Sequence, residues 1–78
     1  MPEETHKFEA KIIWQSDKSY LIEMTIPIQE HYKFFLPKSD RVTLDHYESN
    51  GDGNWMFEVS DWWYRKVLAG DFWADDSR

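Results

Sequence analysis

The chain has 78 residues, no cysteine and a net charge of −6. That describes one small domain with no disulfide framework, and an acidic surface that repels a phosphate duplex. No apolar run reaches the roughly 18 residues of a membrane-spanning helix. The N-terminus, MPEETHKFEA, has the pattern of neither a signal nor a transit peptide, so the expected setting is the cytoplasm. A domain of this size has a limited core, and five Trp, four Tyr and five Phe are available to fill it. Each such ring can bury roughly 150–250 Å².

Residues 1–5 read as a flexible start. HKFEAKIIW (6–14) alternates in the period of a half-buried strand, with Phe8, Ala10, Ile12 and Trp14 on one face. QSDK is a polar turn, and SYLIEMTI (19–26) is a second strand with Tyr20, Ile22, Met24 and Ile26 aligned. Pro27 is expected to end it, because proline cannot donate a ladder hydrogen bond, and IQE is the connection. HYKFFLP (31–37) is a third strand with Tyr32, Phe34 and Leu36 on one face and Phe35 on the other. RVTLDHYES (41–49) is a fourth, with Val42, Leu44 and His46 together. SNGDGN is a strong turn signal, since Asn-Gly and Asp-Gly accept positive φ. WMFEV (55–59) follows, with Trp55, Phe57 and Val59 aligned.

The period then changes. Ser60 suits an N-cap, Asp61 the positive end of the helix dipole, Arg65 and Lys66 its negative end, and Gly70 the C′ position. DWWYRKVLA is therefore a short helix that needs a sheet to dock on. The expected fold is α+β and mostly β: about five short antiparallel strands in a small twisted sheet or partly open barrel, closed by one C-terminal helix. It is a single domain over residues 1–78, with 74–78 a flexible end.

Catalytic chemistry is not indicated. No Gly-rich phosphate loop is present, and His6, His31 and His46 lack metal-ligand spacing. No catalytic residue, metal or cofactor is assigned, and the chain reads as a binding protein, not an enzyme. Two surfaces stand out. Trp62, Trp63 and Tyr64 are consecutive, so a helix cannot bury all three alike, and Phe72 and Trp73 add rings in a polar tail. With Asp71, Asp75 and Asp76 at the rim they form a candidate protein-docking face, since Trp and Tyr dominate interface hot spots. The alternative is a single-strand nucleic-acid site of Lys11, Trp14, Lys33, Phe35 and Lys38, where rings stack on bases and lysines meet phosphates. Exposed strand edges leave room for a homodimer.

SDKSYLIEM, FFLPKSD and EVSDWWYRKVLAG span most of residues 16–70. Together they resemble a group of small uncharacterised phage and prophage proteins. In that group an aromatic-Leu-Pro-Lys-Ser segment follows an early strand pair, and a Trp-containing helix closes the chain. Asp40 stands where Gln is more typical, and Trp63 where an aliphatic is. The resemblance implies a phage or bacterial source and a neighbourhood of replication or recombination genes. It carries no catalytic residue. The resulting expectation is an acidic accessory or inhibitor protein that docks on a protein of a nucleic-acid-processing or defence complex.

Overall fold

The computed structural model describes residues 4–74. Five strands, β1 (Thr5–Gln15), β2 (Ser19–Ile28), β3 (His31–Pro37), β4 (Thr43–Glu48) and β5 (Asn54–Ser60), precede one helix, α1 (Asp61–Leu68). They form one antiparallel sheet in the order β3-β2-β1-β5-β4. No helix among the described residues is long and apolar enough to cross a membrane.

The edge strands β3 and β4 are joined only by residues 38–42. So short a link between opposite edges forces the sheet to curl. Thr43 Oγ1 donates to the Pro37 carbonyl at 2.7 Å, and Lys38 N to the Lys18 carbonyl at 2.8 Å. Tyr20 on β2 consequently reaches His46 on β4, hydroxyl to Nε2 at 3.3 Å, although two strands lie between them in the sheet. The inner face of the curl holds the core: Ala10, Tyr20, Ile22, Met24, Phe34, Leu36, Phe57 and Val59. Helix α1 closes it with Trp63 and Val67, both fully buried. Trp63 stacks on Phe8 with ring centroids 5.6 Å apart and meets Phe34 edge-on at 6.2 Å. Its Nε1 donates to the Phe35 carbonyl at 3.1 Å, so the buried indole also satisfies its one polar atom.

Several expectations are corrected. A bulge between Ile12 and Trp14 adds one residue to β1, so Trp14 pairs with Leu21 and lies on the outer face, not with Ala10 and Ile12. Pro27 does not end β2, which continues to a buried Ile28. The turn is Gln29–Glu30, at φ 50° and 70°, as a type I′ hairpin turn requires. A second bulge, between Thr43 and Asp45, takes Leu44 out of alternation and leaves it 47% exposed. Val42 is buried but precedes β4, where its carbonyl accepts the Ser60 N–H at 2.9 Å.

Of the two stretches expected to be flexible, residues 4–5 and 74 are tied into the fold, while 1–3 and 75–78 lie outside the described residues. Thr5 already belongs to β1, and the Glu4 carbonyl accepts the Asp61 N–H at 3.1 Å. At the other end Gly70, at φ 100°, closes a Schellman motif: its N–H reaches the Val67 carbonyl at 3.0 Å, and Asp71 N–H the Lys66 carbonyl at 2.9 Å. The tail then runs along the outer edge of β3. Phe35 N–H donates to the Phe72 carbonyl at 2.8 Å, and Ala74 N–H to the Lys33 carbonyl at 2.9 Å. At the opposite edge, the His46 N–H of β4 is taken by the Asp45 carboxylate at 2.8 Å.

Candidate functional site

Helical periodicity decides the fate of the aromatic triplet. Trp63 and Val67, four residues apart, share the buried stripe, which turns Trp62 to the flank. Trp62 stays 47% exposed. The Lys66 ammonium lies 5.7 Å from the centre of its ring, and Phe72 meets it edge-on at 6.2 Å. These contacts fix the indole on one side and leave its other side free to form a wall.

The facing wall comes from the link between β3 and β4. The Ser39 carbonyl accepts both Val42 N–H and Thr43 N–H, at 2.9 and 2.8 Å, and Ser39 Oγ accepts Arg41 N–H at 3.2 Å. A turn tied this often is a rigid support. Between it and the helix lies a groove of about 620 Å³ lined by Pro37, Ser39, Asp40, Arg41, Val42, Leu44 and Trp62. Val42 is the buried floor, and Leu44 and Trp62 are half-exposed walls. Asp40 and Arg41 stand exposed at the rim, one of each charge. This is an apolar slot with a polar edge.

On the other flank of the helix, His6 Nε2 meets Asp61 Oδ1 at 2.6 Å and Arg65 Nε meets Asp61 Oδ2 at 2.5 Å. The hydrogen bond from His6, reinforced by the Arg65 charge, holds the Asp61 carboxyl below its ordinary value. Tyr64 stacks on the His6 ring at 4.2 Å. The three histidines go to three separate partners: His6 to Asp61, His31 to the Trp73 ring and His46 to Tyr20. Among the described residues no group of three or more His, Asp and Glu side chains is arranged to hold a metal.

The predicted docking residues therefore separate. Trp62 lines the groove. Trp63 is core, and Tyr64 is half-buried against His6. Phe72, at φ 67°, packs on the core, and Trp73 donates Nε1 to the Val67 carbonyl at 2.9 Å while stacking on His31. Asp71 is exposed beyond the helix end. Asp75 and Asp76 lie outside the described residues. The groove residues Pro37, Ser39, Asp40, Arg41, Val42 and Leu44 are additions. FFLPKSD marks three of them in the sequence, but only the curl of the sheet brings that turn to Trp62.

The alternative set divides differently. Cross-strand pairing puts Lys11, Trp14, Lys33 and Phe35 on one outer face, in two rows: Lys11–Glu23–Lys33 and Trp14–Leu21–Phe35. Trp14 and Phe35 are 55% and 39% exposed. Lys38 turns to the other face, its ammonium 4.7 Å over the Tyr20 ring and 2.8 Å from Gln15 Oε1.

The chain matches no family model, no curated protein and no solved structure.

Proposed function

We propose that the chain is a non-enzymatic protein-binding module that docks through the Trp62 groove. The observation that carries this reading is the pairing of Trp62 and Leu44, two large apolar side chains half-exposed across a slot bordered by the hydrogen-bonded Ser39 turn. Exposing them has a cost in water that a partner surface removes. Two of the segments that carry the phage resemblance, FFLPKSD and EVSDWWYRKVLAG, converge on this groove. The partner class we propose is accordingly a host or phage protein of a nucleic-acid-processing or defence complex, with the acidic module as an accessory or inhibitor.

Capture from a bacterial lysate, with and without nuclease, tests this. Trp62→Ala should lose the partner, with an affinity drop of about 2 kcal/mol or more, while its melting temperature stays near that of the parent. Unchanged capture by Trp62→Ala sinks the reading, and capture that vanishes after nuclease points to nucleic acid instead. A second reading, single-strand nucleic-acid binding, is favoured by the Trp14–Leu21–Phe35 row beside Lys11 and Lys33. Glu23 between the two lysines weighs against it. An oligonucleotide should then quench fluorescence at low salt, steeply relieved by added salt and lost in Trp14→Ala. No quenching at low salt ends that reading.

A further inference from the structure

Between β1 and β2 the sheet comes apart. Their ladder runs from Gln15 opposite Tyr20 to Ala10 opposite Met24 and stops there, yet β1 continues to Thr5 and β2 to Ile28. The same register would next oppose Glu9 to Thr25 and Lys7 to Pro27. Which backbone groups face the gap follows from the other side of β1. Asp61 N–H donates to the Glu4 carbonyl, so Glu4, His6 and Phe8 turn their N–H and C=O towards β5. Thr5, Lys7 and Glu9 turn theirs towards β2. Pro27 stands where β2 would return a donor to Lys7, and proline has none. Residues 25–27 pair with neither β1 nor β3.

The opening is a cavity of about 320 Å³. Phe8, Met24 and Ile28 line its core side, and Lys7, Glu9 and Thr25 its outer side. Ile26, 76% exposed, stands at its lip.

We infer that this gap is a strand-acceptor site, where an extended segment of a partner protein with alternating apolar and polar residues pairs with the inner edge of β1 between Thr5 and Glu9. The groups on offer are a row of backbone donors and acceptors, and the chemistry that matches such a row is another extended backbone. Side chains of an added strand point alternately to the two faces of the sheet. One set meets Phe8, Met24 and Ile28, and the other meets Lys7, Glu9 and Thr25, which fixes the alternation. Lys7 and Glu9 cancel in charge, so the site has no electrostatic pull on an anion. It is separate from the Trp62 groove, which lies on the other flank of the helix, and stands or falls independently of it.

The test is a library of short linear peptides displayed on phage and selected on the full chain. Selected peptides should alternate apolar and polar residues. In the free protein the Lys7 and Glu9 amides should exchange with solvent faster than that of Phe8, and the selected peptide should slow them. Lys7→Pro removes an N–H that no ladder uses, so the fold should persist while peptide affinity falls about tenfold. Pro27→Val supplies the missing donor, so the ladder should close, the melting temperature rise and binding disappear; it carries the test if Lys7→Pro does not fold. The proposal is overturned if no peptide is selected, if selected peptides bind both variants as before, or if they depend on Trp62 instead. Equal exchange of Lys7 and Phe8 amides in the free protein also overturns it. So does concentration-dependent dimerisation lost in Pro27→Val, which would make a second copy the donor.

Discussion

Ser60 sits in the N-cap position with extended backbone, as its place before Asp61 suggests, but its hydroxyl makes no cap hydrogen bond. Its N–H is already committed to the Val42 carbonyl, and its Oγ is buried with no hydrogen-bond partner. The two roles predict opposite results on substitution. Loss of a working cap costs about 1 kcal/mol, whereas removing an unpartnered buried hydroxyl removes a desolvation penalty of about 1–3 kcal/mol. Ser60→Ala should therefore leave stability unchanged or raise it, measured as the urea midpoint at constant m-value. A midpoint lowered by the equivalent of a lost cap would restore the cap reading. The sequence offered the right residue at the right place; what it could not show is that Val42, in the link before β4, would claim the same backbone.

Among the elements, the β2–β3 hairpin is held in a costly conformation. Gln29 and Glu30 both adopt positive φ, a region that costs a non-glycine residue about 1–2 kcal/mol. Glu30→Gly should relieve part of this and raise stability by about 1 kcal/mol; a lowered thermal midpoint would mean that the Glu30 side chain is doing something the backbone argument omits. This hairpin also shows how far element reading reaches. Alternation located all five strands, and the change of period at Asp61 located the helix and its glycine stop, because those patterns record a one-sided burial. Bulges leave no such record. One inserted residue in β1 moves Trp14 to the opposite face, and one in β4 pushes Leu44 into the groove. Pro27 misled for a related reason: it removes a donor only on the side that the strand presents to β1, and there the ladder is already open.

In the molecule as a whole, the groove exists because a curled sheet brings distant segments together, and the helix that closes it is tied back to the first strand. His6 and Asp61 join the first strand to the last element. The Asp61 carboxyl titrates below its unfolded value, so the pair contributes stability that is present above the unfolded pKa and is lost as pH falls through the folded one. From about pH 5 downward, the parent should lose stability more steeply than Asp61→Asn, followed as urea midpoints against pH. Parallel profiles would show that the pair does not hold the fold. Candidate sites were less legible than strands for the same reason: Trp62 could be singled out by counting turns of a helix, but its opposing wall is set by a tertiary closure that no local pattern encodes.

One consequence concerns how the protein behaves in crowds of its own kind. A curled sheet with two edges is open to stacking edge upon edge into fibres. Here the chain's own tail lies along β3, and on β4 the Asp45 carboxylate occupies the His46 N–H that an incoming strand would seek. Asp45→Val frees that donor and adds a strand-forming side chain beside it. Sedimentation velocity over a concentration series should show the variant growing into larger species at loadings where the parent stays unchanged. Asp45 is then a guard on solubility, stationed on the sheet edge opposite the one that the tail covers.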